Sequence, residues 1–390
     1  MKRKICVVIT ARASYSRIKT ALKAIQQHPD LELQLVLSGS ALLEKYGSVV
    51  NHMLNDGFKI TARLSNVLEN GGPADSVKTV GLASIELSTL FETIKPDIIV
   101  TIADRYETMA TAVAAAYMNI PLAHIQGGEI TGNIDDKVRN AITQLADIHL
   151  VATDTAKQRV LKMGADADHV YKVGCPSIDI AMDILHDSTL DFDPFEQYGG
   201  VGKIFDPQKK YIVVMQHSVT TEYVSAAFQT AETLRAIENL GINTFWFWPN
   251  PDAGTETIAK TLRTYREMNP DTNIHFFKNM NPRHFLKLLK NANCLVGNSS
   301  VGLRECSLLG VPVVNIGSRQ NGRERGNNVL DAGYDFTSIT NAVQIQIRHG
   351  HYEPNPIYGT GNSGKKIAFA LANTSLATSD KPEWTTSLAS

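Results

Sequence analysis

Glu129, Asp135 and Asp136 fall within one short stretch, "HIQGGEITGNIDD" at residues 124–136, just after a Gly127–Gly128 pair. A turn and the polar first turn of a helix would use Asp135 or Asp136 without any chemistry. Glu129 directly after Gly-Gly fits that less well. It suits a cleft in which carboxylates move protons. Glycines at 127 and 128 would let the backbone approach a ligand closely. Asp104 and Arg105 end another apolar run, "TIADRYET". A carboxylate there has its pKa raised by desolvation or lowered by Arg105, or it caps a helix. No Cys/His set accompanies these acids, so the chemistry does not require a metal.

A second set of residues suits an anion. Arg12 leaves an apolar run at the entry to a helix, with Lys19 one to two turns on. Helix N-termini with nearby cations bind phosphate, although a capped helix with solvated basic residues is the plainer alternative. His217 ends "VVMQHS", where it serves as a structural residue, a phosphate ligand or an acid/base. Ser299, Ser300 and Gly302 lead into a helix carrying Glu305, a pattern that offers backbone N–H groups to phosphate and a carboxylate to a ribose. Arg319, Arg323 and Arg325 crowd the Gly- and Asn-rich loop after it. The loop lacks the G-x-x-x-x-G-K-[ST] of a P-loop. No G-x-G-x-x-G follows the first apolar run, which disfavours a nicotinamide cofactor.

These residues need strand ends to hold them. "KICVVIT", "LELQLVLSG", "DIIVTIAD", "LAHIQGGE" and "IHLVAT" read as buried strands separated by helical patterns, including one that stops before Pro96. After a segment poor in periodicity, Asp183–Gln208, the pattern restarts with "KYIVVMQHS", "NTFWFWPN", "NIHFFKN" and "CLVGNSS". "VPVVNIG" is the last clear strand. Apolar runs alternating with helices predict parallel sheets covered on both faces. The expected architecture is α/β, with two Rossmann-like doubly wound domains facing a cleft. The expected units are residues 1–185 and 186–363, with a helix at about 364–378 packing back on the first. Ligands of such folds bind at the carboxyl ends of the strands, where every residue above is expected.

A chain of 390 residues admits two domains, and its net charge of -1 gives no electrostatic case for nucleic acid. Cys6, Cys175, Cys294 and Cys306 form no C-x-x-C pair and read as reduced core thiols. "ICVVI" is too short for a signal-peptide core, and no run of roughly 20 apolar residues offers a membrane span. A cytoplasmic protein is the simplest reading. The tail "ATSDKPEWTTSLAS" is expected to have no catalytic duty.

From "ARASYS" to "PIYGTGNSGKK" the chain resembles the UDP-N-acetylglucosamine 2-epimerases, in the hydrolysing branch that feeds sialic and legionaminic acid synthesis. The motifs are "ADRYE", "HIQGGEITGNIDDKVRNAITQLADIH", "VGCPSID", "PNPDAGT", "GNSSVGLRE" and "IGSRQNGRERGNNV", in that order. The resemblance implies a glycosyltransferase-B-like pair of domains, with UDP held mainly by the second. Ser299, Ser300 and Glu305 would contact diphosphate and ribose, with Arg12 and Lys19 approaching from the first domain and His217 from the second. Arg105, Gln126, Gly302, Arg319 and Arg323 complete the expected substrate contacts. The implied reaction removes the C2 proton, expels UDP by anti elimination to a 2-acetamidoglucal, and adds water syn to give N-acetylmannosamine. It uses no cofactor. Asp104, Glu129 and Asp135 are the expected acid/base groups, with Asp136 behind them. Relatives often carry "HIEGGE" where this chain has Gln126, and Gln takes no proton at neutral pH. Either Glu129 substitutes or the substrate differs. The alternatives are a UDP-2,4-diacetamido-6-deoxy sugar or GDP-N-acetylglucosamine as substrate, a nonhydrolysing epimerase, a glycosyltransferase, and a nucleotide-sugar sensor that the extra acids disfavour. The partners implied are a UDP-sugar and further copies of the chain, as a homo-oligomer (dimer or tetramer), without nucleic acid or membrane.

Overall fold

The computed structural model describes residues 1–43, 49–68, 73–102, 104–132, 134–249 and 254–376. Ala103, Asn133, most of the "PNPDAGT" motif and the tail 377–390 lie outside the described residues. The first half contributes strands β1 (Arg3–Ile9), β2 (Leu31–Ser38), β3 (Ile60–Leu64), β4 (Ile98–Ile102), β5 (Leu122–Ile125), β6 (Ile148–Val151) and β7 (Val170–Lys172). They form one parallel sheet in the order β3-β2-β1-β4-β5-β6-β7. The second half contributes β8 (Val201–Gly202), β9 (Tyr211–Met215), β10 (Asn243–Phe247), β11 (Ile274–Phe277), β12 (Leu295–Gly297), β13 (Val313–Ile316) and β14 (Val329–Ala332). Their order is β14-β13-β12-β9-β10-β11-β8, with only the β8–β11 pair antiparallel. Each order reverses beside the unit's first long strand, β1 or β9. Such a switch point opens a crevice at the strand ends.

Both faces of each sheet are buried, as the continuous apolar strands require. Along β1, Ile5, Val7 and Ile9 pack in one core with Ile18, Leu22 and Ile25 of the helix Arg12–Gln27. Cys6 and Val8 point the other way, into a core with Leu87 and Phe91 of the helix Pro73–Ile94. In the second sheet, Tyr211 and Val213 face one core while Ile212 and Val214 face another. All four cysteines are free and buried within these cores.

The final helix, Ser363–Asn373, returns to the first unit, where Ile367 and Leu371 join the core of Ile5 and Val7. A Cβ on Gly364 would lie 2.6 Å from the Thr20 carbonyl, so the two helices touch backbone to backbone. Asp179 fixes the start of this helix by accepting from the N–H groups of Ser363 and Gly364, each at 2.8 Å. Asp179 lies on the helix Ser177–His186, whose Ile178, Ala181 and Ile184 sit in a core with Tyr211 and Phe245 of the second unit. That helix therefore joins both units. A division at 185/186 remains our proposal.

Several elements differ from the sequence-based expectation. The irregular segment Asp183–Gln208 contains the helix Pro194–Tyr198 and β8, which extends the second sheet. "VPVVNIG" is followed by a further strand, β14, and by the helix Phe336–His349. The strand expected over "LAHIQGGE" stops at Ile125, because Gln126 takes φ 70° and turns the chain out of the sheet. The strand over "DIIVTIAD" likewise ends at Ile102.

Candidate active site

The segments that follow β1, β4, β5, β9, β12 and β13 carry the expected residues. The Gly-Gly pair after β5 has a packing role. A Cβ on Gly128 would meet the Ala156 carbonyl at 2.4 Å and Val160 at 2.8 Å; one on Gly127 would meet Thr143 Oγ1 at 2.9 Å. Both glycines thus approach neighbouring helices closely. The Gly128 carbonyl also accepts from Arg159 Nη1 at 3.1 Å. This anchoring fixes where Glu129 emerges.

Arg139 organises the acids of the first unit. It lies on the buried stripe of the helix Ile134–Leu145, with Ile142 and Thr143. Its guanidinium donates to the Glu129 carbonyl at 2.8 Å and pairs with both Asp104 and Asp136. Asp136 also accepts from Thr131 N–H (2.8 Å), Thr131 Oγ1 (2.8 Å) and Gly132 N–H (2.7 Å). With these three donors and Arg139 it holds the loop in place. Asp135 is half-buried on the first turn of the same helix. Arg105 forms a forked pair with the buried Glu107, at 3.1 and 3.2 Å.

Glu129, 4% exposed, reaches across to the second unit. Its Oε2 accepts from Arg304 Nη2 at 2.5 Å and lies 3.7 Å from Arg323 Nη2. Burial pushes its pKa up, yet Arg304, Arg323 and Arg17 together overcome this and hold it below the usual carboxylate value. Burial alone lowers Arg304, but Glu129 foremost, with Cys175, Tyr358 and Glu305, more than compensates and raises it. Burial brings Arg323 down to about 10, helped by the like charge of Arg304, and acts similarly on Arg17, also to about 10. All stay cationic at neutral pH. Gln126 is buried beside them: its Oε1 accepts from Arg17 Nη1 at 3.2 Å and its Nε2 donates to Cys175 Sγ at 3.0 Å. Tyr358 lies under Arg304, 5.8 Å from ring centroid to guanidinium.

On the second unit, β9 and β12 are zipped together beyond their ends. His217 N–H donates to Asn298 Oδ1 at 2.8 Å, and Asn298 Nδ2 donates back to the His217 carbonyl at 2.9 Å. The Asn298 carbonyl accepts from Arg319 Nη1 at 3.2 Å and Gln320 Nε2 at 2.9 Å. His217 and Arg319 are thus drawn to the same strand ends as Ser299 and Ser300. Ser299 caps a single 3-10 turn, Ser300–Gly302, and the α-helix starts only at Glu305, later than expected. Gly302 is required by packing, since a Cβ would lie 2.8 Å from Val313 Cγ1. Glu305 Oε2 is buried without a hydrogen-bond partner. Across the cleft, Arg12 opens the helix Arg12–Gln27, and burial lowers its pKa to about 10. Lys19 differs: its ammonium pairs with Asp56 at 2.6 Å. From the same helix it is Arg17, absent from the sequence-based set, that meets the cluster.

Arg17, Arg139, Arg304 and Asn298 were all missed by sequence reasoning. Arg139 and Arg304 had a usable signal: each is a cation on an otherwise apolar helical stripe, "VRNAIT" and "GLRECSLLG". Among the described residues, no group of three or more His, Cys, Asp and Glu side chains is placed to hold a metal ion. No described helix is long and apolar enough to cross a membrane.

The two units meet at this cluster. Thr153 Oγ1 donates to Glu324 Oε2 at 2.5 Å, and a Cβ on Gly132 would contact the Asn321 carbonyl at 2.9 Å. Acids from one sheet and arginines from the other therefore share one cleft, and known proteins share its frame. A crystal structure of a UDP-GlcNAc 2-epimerase from Neisseria meningitidis bound to UDP-GlcNAc superposes with TM-score 0.79 at 17% identity, covering 95% of this chain and 100% of that one. That likeness establishes the two-domain, glycosyltransferase-B-like fold. In sequence, a UDP-N,N'-diacetylbacillosamine 2-epimerase (hydrolyzing) of Legionella pneumophila is 32% identical over 94% of each chain. A UDP-N-acetylglucosamine 2-epimerase of Neisseria meningitidis is 33% identical over 93% of this chain and 92% of its own. The family profile described as UDP-N-acetylglucosamine 2-epimerase matches residues 23–372. With nearly the whole chain matched in both sequence and fold, this protein belongs to the UDP-N-acetylglucosamine 2-epimerase family.

Proposed function

We propose that this enzyme is a hydrolysing 2-epimerase that converts UDP-N-acetylglucosamine and water into N-acetylmannosamine and UDP. The observation that carries the reading is Glu129, a buried carboxylate after β5 surrounded by arginines from both units. A carboxylate beside groups suited to a diphosphate supports proton abstraction next to a departing UDP. Abstraction of the C2 proton and departure of UDP form the glucal, and water then adds across its double bond. Glu129, Asp104 and Asp135 carry the proton transfers. Arg12, His217, Ser299, Ser300, Arg319 and Arg323 stabilise the leaving diphosphate, and the unpartnered Glu305 Oε2 accepts from the ribose. Gln126 binds substrate without taking a proton. A 2,4-diacetamido-6-deoxy UDP-sugar is the second substrate reading, favoured by the name of the Legionella relative.

We place the enzyme in the cytoplasm as a homo-oligomer. Val77, Leu82 and Ile85, all exposed on the helix Pro73–Ile94, support self-association. Product analysis by phosphorus NMR and chromatography tests the reading. Free UDP and free sugar, formed without an acceptor, are expected. An epimeric nucleotide sugar would make the enzyme nonhydrolysing, and UDP release only on adding an acceptor would make it a glycosyltransferase.

A further inference from the structure

The cluster around Glu129 is paired incompletely, and the gaps are specific. Glu129 Oε1, Arg304 Nε and Arg323 Nε are all buried without a hydrogen-bond partner. Glu129 Oε2 alone serves both guanidiniums, at 2.5 and 3.7 Å. A buried guanidinium N–H left unbonded carries a large desolvation penalty. A polyanionic ligand relieves that penalty better than one carboxylate oxygen can. A carboxylate held by arginines is also a poor base, because its proton affinity is low. As arranged, Glu129 cannot accept a carbon-bound proton efficiently until its counterions are diverted.

We propose that Glu129 and the diphosphate of a nucleotide sugar compete for Arg304 and Arg323, so that binding of the diphosphate releases Glu129 as the proton acceptor. The proposal rests on the nucleotide-sugar reading above. Arg304 is the positioning residue. It lies directly before Glu305 and five residues after Ser299, and its backbone N–H donates to the Ser300 carbonyl at 3.2 Å, beside the proposed diphosphate contacts. Once released, Glu129 takes the C2 proton. The C2–H electron pair becomes the C1–C2 double bond, and the C1–O bond breaks with its pair leaving on UDP. The charged and titratable groups facing Glu129 come from every surrounding element: Arg17, Arg139 through the Glu129 carbonyl, Cys175, Arg304, Arg323 and Tyr358. Arg17 and Arg139 remain near after the exchange and keep the freed carboxylate in place. The arrangement ties base strength to occupancy of the diphosphate site, so the base is strengthened only when a leaving group is in position.

Isothermal titration of the full chain with UDP, in buffers of different ionisation enthalpy between pH 5 and 7, counts the protons exchanged on binding. Beyond the protons that the terminal phosphate of UDP itself gives up, which are common to wild type and variants, the wild type is expected to take up protons, increasingly so toward pH 5. Glu129→Gln is expected to abolish that uptake and to bind UDP about tenfold more tightly, a gain of about 1.4 kcal/mol, because the competitor has lost its charge. Arg304→Lys, which keeps the cationic charge, is expected to weaken UDP binding and reduce the uptake, and it serves if Glu129→Gln does not fold. Uptake unchanged in Glu129→Gln, or unchanged in Arg304→Lys, overturns the exchange. UDP binding by the wild type without proton uptake overturns the exchange alone. No UDP binding overturns the nucleotide-sugar reading and the exchange with it.

Discussion

Gly128→Ala tests whether the loop that presents Glu129 is fixed by packing. Gly128 has φ 77°, and a Cβ there would sit 2.4 Å from the Ala156 carbonyl, which cannot move without dragging the helix Asp154–Lys162. The left-handed conformation costs a non-glycine residue roughly 1–2 kcal/mol, and overpacking adds typically about 1–3 kcal/mol. Gly164 provides the control, since it has φ 93° but nothing within 4 Å of its would-be Cβ. Gly164→Ala should therefore carry the backbone component alone. The difference between the two variants isolates the steric component, about 2 kcal/mol, or roughly 4–8 °C in Tm at the usual scaling. Calorimetry on both variants measures it. Activity should separate them further, because relief of the clash displaces Glu129 from Arg304, whereas Gly164→Ala leaves the site alone. Equal Tm values together with an active Gly128→Ala would refute the packing argument and restore a ligand-approach role for the glycine pair.

Arg139→Met leaves Asp104 and Asp136 without their shared cation and should destabilise the protein by about 3–5 kcal/mol, with kcat falling too; denaturant unfolding and initial rates measure both. Asp179→Ala removes the acceptors at the start of the returning helix and should cost about 1 kcal/mol, seen as faster hydrogen exchange confined to Ser363–Asn373. His149 is buried, and burial brings its pKa from 6.5 down to about 4. The unfolded chain therefore binds the proton first, so its contribution is fully present above pH 6.5 and declines as the pH falls toward 4. The loss reaches about 3 kcal/mol, so between pH 6.5 and 4 the stability of the wild type should fall more steeply than that of His149→Gln, whereas above pH 6.5 the two curves should run parallel.

The strands missed in the sequence share one physical property. β3, β7, β8 and β14 are the outer strands of the two sheets. An outer strand has one neighbour and partial cover, so it lacks the continuous apolar run that marks a buried parallel strand; β3 reads "ITARL", and its residues alternate between half-buried and exposed. The inner strands were legible because both faces are buried. At the site, the acids were legible because they follow those inner strands. Their partners were not, because pairing depends on tertiary closure: Glu129 and Arg304 are 175 residues apart. The partner of Lys19 was hidden for a related reason, since spacing along the helix could not reveal Asp56, brought close by the helix Val49–Asn55 and the turn after it.

The most direct test of the account is turnover of UDP-N-acetylglucosamine in deuterated water without added metal, followed by proton NMR. Free N-acetylmannosamine carrying deuterium at C2 and released together with UDP is expected, with loss of that product in Glu129→Gln. Free sugar that retains its original C2 proton would contradict elimination through C2 and with it the role assigned to the carboxylates.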